Sequence, residues 1–237
     1  MAVDGVEVMK HFGYSKFPVV GHDRGGRVGR RMALDHKAEV QKLLTIDIVP
    51  AHYLYSHVTI EFVQAYAHWF NYLQRAPGPE NDLLAQYQAR ATGRPAAAPK
   101  GGGAAIPGGA APGAGKGFGG GKGKGGPPDP KAAILNAEFL RCMLNPGSIH
   151  AMCEDYRASA SIDLKNDAED IKKKNKIECP THVLWASDGA MGPLYDVLSI
   201  WKEEGKKVTG KALTGGHSLQ EGNPMETQAE ILNFLKS

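Results

Sequence analysis

Cysteine is scarce in this chain. Only Cys142, Cys153 and Cys179 occur among 237 residues. They form no Cys-x-x-Cys pair, and no histidine stands at metal-ligand spacing from them. So odd and sparse a set excludes a disulfide framework and a metal site of that type, and it fits a reducing compartment. Long apolar runs are also missing, and none approaches the roughly 20 residues that span a bilayer. The start, Met1-Ala2-Val3-Asp4-Gly5-Val6-Glu7, is acidic and carries no signal-peptide core. The expected location is therefore cytoplasmic, with no membrane partner. No one sign of charge dominates: 28 Lys and Arg stand against 25 Asp and Glu, a net +3 that implies no nucleic-acid partner. Part of that excess lies in a Gly/Lys tract and in Lys172-Lys173-Lys174, which read as solvated. Lys116, Lys122 and Lys124 each follow glycine, but none completes Gly-x-x-x-x-Gly-Lys-Ser/Thr, so a phosphate loop is excluded.

What the chain does contain is an ordinary globular balance, 42% hydrophobic and 22% charged. Residues 3–12 pattern as the end of an amphipathic helix with Val3, Val6 and Met9 on one side. Phe17-Pro18-Val19-Val20 reads as a buried strand ending at Gly21, and a helix follows Asp23 to about His36. Lys42–Ile46 is a second strand ending at Asp47. Strand, helix and strand at this spacing form a βαβ unit of a parallel sheet. Residues 59–90 pattern as helical and aromatic-rich, with Phe62, Tyr66, Trp69, Phe70 and Tyr72. From Pro95 to Pro130 the composition collapses to Gly, Ala, Pro and Lys with Phe118 as the one aromatic. A disordered insert is expected there, because so little apolar surface cannot offset the entropy of ordering. Helical patterning resumes at Ala132–Leu144 and Ile149–Ser159. Thr181–Trp185 is a third strand, Leu194–Lys202 a helix, Lys206–Leu213 a fourth strand and Met225–Leu235 a closing helix. The expected organisation is an α/β core from 1–50 and 166–237, interrupted at 51–165 by a helical cap holding the Gly-rich insert.

Gly21-His22-Asp23-Arg24-Gly25 fits the strand-turn-helix elbow Gly-x-nucleophile-x-Gly, with aspartate as nucleophile. A tight turn would hold the carboxylate strained at the top of the sheet, and glycines two residues to either side would permit close backbone approach. The helix N-terminus beside it favours the ionised form. Five residues alone are equally compatible with a Gly-rich turn capped by Asp; the preceding apolar strand and following helix argue for the elbow. His217, in Thr214-Gly215-Gly216-His217-Ser218, lies between the last strand and last helix, where the base of such a site stands. Two carboxylates compete to orient it, Asp47 after the second strand and Asp188 after the third. The residue pattern leaves both open.

Phe17–His36 (FPVVGHDRGGRVGRRMALDH) resembles the fluoroacetate/haloacetate dehalogenase family of the α/β-hydrolase superfamily, which carries GHDRG at the elbow. The likeness continues through Leu44–Pro50 (LTIDIVP), Tyr66–Phe70 (YAHWF), His150–Tyr156 (HAMCEDY), Trp185–Trp201 and the Gly-Gly-His loop. The resemblance implies an α/β-hydrolase parallel sheet with a helical cap, no cofactor and no metal. It implies Asp23 as nucleophile, Asp47 as acid and His217 as base. Arg24 and Arg27 would bind the substrate carboxylate, and His68, Trp69 and Tyr156 the departing halide. The implied partners are a small haloacid and water, with a second copy of the chain admitted as a homodimer. These residue types suit the chemistry. Two guanidiniums offset the repulsion between an anionic nucleophile and an anionic substrate, and N–H and O–H donors stabilise fluoride as it develops charge. Without the resemblance, His68-Trp69 and Tyr156 read as packed aromatics of a helix, and Arg24 and Arg27 as a solvated basic helix start.

The chain departs from the family pattern in three places. It begins one helix before the elbow, so the strands and the His-Gly loop that precede the elbow in the family are not in it. A sheet missing its first strands, an exposed apolar edge at 17–20 and one lost oxyanion donor are the expectations for a truncated chain, and such a donor is typically worth about 10²–10³ in rate. The Gly-rich tract falls where the family has ordered cap helices, and Lys37 stands where many relatives have proline. Two other readings stay open. One is an epoxide hydrolase or other hydrolase of the same fold, which would typically place Trp after the nucleophile rather than Arg24. The other is an inactive remnant or a binding module built on the basic Gly-rich segment.

Overall fold

The structure is a computed structural model describing residues 1–93 and 130–237. The expected disordered insert at about 95–130, with Phe118 and its lysines, lies outside the described residues except for Pro130. The chain divides into two compact units, Met1–Val58 with Leu164–Ser237, and Thr59–Asp163.

The first unit opens with α1 (Ala2–His11), β1 (Phe17–His22), α2 (Arg24–Asp35), β2 (Val40–Ile46) and α3 (Ala51–Ser56). The second unit's described elements are all helices: α4 (Ile60–Asn71), α5 (Gly78–Thr92), α6 (Pro130–Met143) and α7 (Pro146–Ser159). Helix α8 (Ile162–Lys173) leads back into the first unit, followed by β3 (Thr181–Ala186), α9 (Met191–Leu194), α10 (Val197–Glu204), β4 (Val208–Leu213), α11 (Leu219–Gly222) and α12 (Pro224–Lys236). No helix among the described residues is long and apolar enough to cross a membrane.

The four strands form one sheet in the order β1-β2-β3-β4, every pair parallel. Parallel neighbours need a crossover; α2 supplies the first, and the whole second unit lies in the connection between β2 and β3. In β2, Leu43, Leu44, Thr45 and Ile46 are buried in succession, the run that a strand covered on both faces produces. Leu44, Ile46, Leu184, Ala186, Leu213 and Leu219 form a core cluster against which Ile231 and Phe234 of α12 pack. Each buried leucine or isoleucine of the cluster contributes about 1.5–3 kcal/mol through burial.

The register aligns the strand ends. His22 pairs with Ile46, Ile46 with Leu184, and Ala186 with Leu213. The residues that follow, Asp23, Asp47, Ser187-Asp188 and Thr214–His217, therefore leave the sheet at one edge, its carboxyl edge. That is where open parallel sheets carry their chemistry.

Two elements differ from the sequence expectation. The helix expected from Leu194 begins at Val197, because Tyr195 is extended and Asp196 caps the helix by accepting the Ser199 N–H at 3.1 Å. Helix α8 has no counterpart in the sequence expectation, and its apolar residues do not face inward: Ile162, Ala168 and Ile171 are exposed and Leu164 is half-buried. Its inward residues are acids instead. Asp167 and Glu204 receive the buried Arg30 guanidinium at 2.6 and 2.7 Å, Asp170 pairs with Arg31 at 2.6 Å, and His52 of α3 lies 3.3 Å from Asp167 and 3.2 Å from Glu204.

Candidate active site

The elbow is built by backbone collision and backbone strain. A Cβ on Gly21 would strike the carbonyl of Gly25, so only glycine lets β1 turn this sharply into α2. Gly25 has the opposite character: a Cβ there would meet nothing within 4 Å. Of the two glycines expected to permit the close approach, Gly21 does so through its missing side chain and Gly25 only offers the backbone approached. The second tight position is Gly26, whose added Cβ would lie 2.6 Å from Ile48 Cγ2. Asp23 sits at φ 49°, ψ −123° as the N-cap of α2, a conformation costing about 1–3 kcal/mol that the surrounding structure must impose. Its N–H donates to the Ile46 carbonyl at 3.0 Å, which ties the elbow to the end of β2.

Asp47 stands at the end of β2, also at φ 49°. It is wholly buried. Its Oδ1 accepts the Ala186 N–H at 2.9 Å, and its Oδ2 lies 2.7 Å from His217 Nδ1. The loop behind it is pinned by the Trp201 indole, which donates to the Ile48 carbonyl at 2.8 Å. His217 Nε2 is 3.6 Å from Asp23 Oδ2, an ion-pair distance longer than a hydrogen bond. One imidazole thus faces Asp47 through Nδ1 and Asp23 through Nε2.

Asp188 ties down the loop that carries His217. Its Oδ1 accepts two backbone N–H groups, Gly215 at 2.9 Å and Gly216 at 3.0 Å. The alternative that residue pattern left open thus has a geometric answer: Asp47 holds the ring and Asp188 holds the loop. Gly216 has φ 70°, which glycine adopts without penalty.

These contacts set the charges. Burial alone would push the Asp23 carboxyl up, but the His217 imidazole and the Arg27 guanidinium outweigh it and hold Asp23 down at about 2. Burial opposes a charge on His217, yet the carboxylates of Asp23 and Asp47 outweigh burial and raise it to about 10. The resting site is an Asp23 carboxylate facing a His217 imidazolium. Arg24 and Arg27 are half-buried in the first turn of α2, directly after Asp23.

The alpha/beta hydrolase fold model matches residues 1–224. The chain belongs to the α/β-hydrolase fold family. This α/β-hydrolase is 31% identical to a fluoroacetate dehalogenase from Burkholderia sp., over 99% of this chain and 68% of that protein. It is 26% identical to a soluble epoxide hydrolase from Corynebacterium sp., over 99% of this chain and 72% of that one. A solved structure of a candidate α/β-hydrolase from Nostoc sp. PCC 7120 superposes with a TM-score of 0.80 at 41% identity, covering 99% of this chain and 71% of that one.

In the second unit of the hydrolase, the three residues expected to bind halide lie together. Tyr156 is centred 5.8 Å from both His68 and Trp69, with Tyr72 5.1 Å from Tyr156. Trp69 and Tyr156 are buried. Among the described residues, Glu80, His150 and Glu154 have ligand atoms close enough for a metal. Arg157 already lies between the two carboxylates, 2.7 Å from Glu80 and 2.6 Å from Glu154, so the group is an internal ion-pair cluster. Sequence reasoning gave no task to His22, Gln220 or Arg30. Only for His22 was there a signal, its place inside the elbow motif.

Proposed function

We propose that this α/β-hydrolase cleaves the carbon–halogen bond of a haloacetate-type acid through a covalent aspartyl ester. The observation that carries the reading is the carboxylate at the elbow, kept ionised at the carboxyl edge of the sheet and followed by Arg24 and Arg27. A nucleophile that is itself an anion, set beside two cations, suits an anionic substrate. Arg24 and Arg27 would bind the substrate carboxylate and align its halogen-bearing carbon. An Asp23 oxygen attacks that carbon, the C–O bond forms, and the C–X electron pair departs as halide. His68, Trp69 and Tyr156 are proposed as the halide donors on the strength of the family resemblance. A small haloacid and water are then the only partners required, with no cofactor.

The second half-reaction follows from the charge arrangement. The imidazolium state of His217 owes part of its support to the Asp23 charge. Esterification removes that charge, leaving Asp47 as the one carboxylate beside the ring, so His217 gives its proton to solvent and becomes a base. It then takes a proton from water, which attacks the ester carbonyl carbon. Collapse breaks the acyl C–O bond; the departing alkoxide takes the proton that His217 holds and leaves as the 2-hydroxy acid, and the carboxylic acid left on Asp23 gives its proton to His217, restoring the carboxylate and the imidazolium. Consuming the nucleophile's charge is what makes the base available.

Halide release from fluoroacetate and chloroacetate, with glycolate measured alongside, tests the reading. Stoichiometric halide and glycolate are the expected products. Absence of both would overturn it. The similarity to a soluble epoxide hydrolase supports a second reading, in which Asp23 opens an epoxide; diol from styrene oxide without halide from either acid would select it.

A further inference from the structure

His22 precedes Asp23 and ends β1, and its side chain turns to the loop that carries His217. Its Nε2 lies 2.9 Å from the backbone carbonyl of His217. A carbonyl only accepts, so Nε2 carries the hydrogen and Nδ1 keeps its lone pair. That lone pair faces the Gln220 side-chain amide of α11 at 3.4 Å. The His22 and His217 rings are 4.7 Å apart between centroids. The titratable groups around His22 are His217, Asp23 and Asp47. Burial, followed by the His217 charge, pushes His22 downward and keeps it neutral. A neutral donor next to an imidazolium has a use that a second cation would not.

His217 is then held at three kinds of point. Asp47 holds the ring through Nδ1, Asp188 holds the two preceding amides, and His22 holds the residue's own carbonyl. The His22 bond joins the base's backbone to the strand that presents the nucleophile. We infer that His22 is a positioning residue for the base. Its Nε2–H registers the His217 loop against the elbow, so that His217 Nε2 addresses water at the Asp23 ester. The inference rests on the ester mechanism above and concerns its second half-reaction.

Two variants separate the donor from the shape. His22→Gln keeps an N–H near the Nε2 position. His22→Phe keeps a ring beside His217 and removes the donor. Losing one hydrogen bond alone is worth about 2–12-fold, and an imidazole displaced by about an ångström loses on the order of 10²-fold. In His22→Phe the ratio of steady-state turnover to the initial halide burst is therefore expected to fall by about 10–100-fold, with the Asp23 ester accumulating in intact-protein mass spectra. In His22→Gln the ratio is expected to stay within about threefold of the parent. Equal losses in the two variants, or a burst slowed as much as turnover, would overturn the inference.

An NMR titration of the His217 ring supplies a readout that needs no turnover. A lower His217 midpoint in His22→Phe, restored in His22→Gln, is expected from a loosened contact with Asp47. Identical midpoints in all three proteins would overturn the positioning role. If the parent releases no halide, the haloacid reading fails, and the titration still decides the role of His22.

Discussion

Replacing Asp47 by asparagine alters one group in a fully buried carboxylate, and the geometry dictates how the replacement must sit. The Ala186 N–H donates to Oδ1 at 2.9 Å, and leaving that buried donor unmet would cost about 1–3 kcal/mol. The carboxamide oxygen therefore turns to Ala186, and the amide NH₂ faces His217 Nδ1. Nδ1 then has to accept, Nε2 has to carry the hydrogen, and the ring can no longer take a proton from water. The imidazolium also loses its buried counter-charge. The same aspartate-to-asparagine change in a serine-protease triad lowers turnover about 10⁴-fold through the wrong tautomer, equivalent to about 5–6 kcal/mol. A loss of that order is expected in steady-state halide release, with ester accumulating on Asp23. Asp188→Asn is the internal control. One oxygen of Asp188 takes both loop amides, and a carboxamide oxygen can do the same, so a loss of about tenfold or less is expected. Comparable losses in the two variants, or an Asp47→Asn enzyme within tenfold of the parent, would refute this division of roles. Circular dichroism melting of both variants separates misfolding from lost chemistry.

Three further outcomes follow. His217, raised from 6.5 to about 10, contributes stability that is fully present below pH 6.5 and is lost as pH rises through about 10. The Tm difference between parent and His217→Gln should shrink between pH 7 and 11, and a constant difference would contradict the Asp23–His217 ion pair. Gly21→Ala should lower Tm sharply or prevent folding, whereas Gly25→Ala should change Tm by little, since its Cβ enters open space; equal effects would show that the elbow is closed differently. Arg30→Met leaves Asp167 and Glu204 buried without their guanidinium and should cost about 3–5 kcal/mol in urea unfolding. A loss below about 1 kcal/mol would mean that the acids find solvent.

The catalytic candidates differ in how far they could be read in advance. Asp23 was legible because an elbow is local. An apolar run, a glycine two residues before the nucleophile and a helix start all lie within Phe17–Asp35, although the run expected to be buried leaves Pro18 and Val20 exposed and buries only Phe17 and Gly21 of β1. His217 was legible from chain order, and the resemblance pointed to Asp47. The glycine assignment was half right. The pattern showed two glycines at equal spacing, but which of them a side chain would obstruct depends on the path of the backbone around them, and that path puts the second tight contact at Gly26.

Sequence alone determined the βαβ unit around the elbow, the later strands and the helical stretch between β2 and β3. Each depends on a local apolar pattern, a helical period or a short continuous apolar run, that neighbouring residues carry. Tertiary structure decided the rest. The sheet register brings the ends of β2, β3 and β4 to one edge, where Asp47 meets the His217 ring and Asp188 meets the Gly215 and Gly216 amides. Helix α8 turns its acids inward and leaves Ile162 and Ile171 exposed, because Asp167 and Asp170 meet Arg30 and Arg31 from far along the chain. His22 reaches a carbonyl 195 positions away, and no local pattern encodes a contact of that separation.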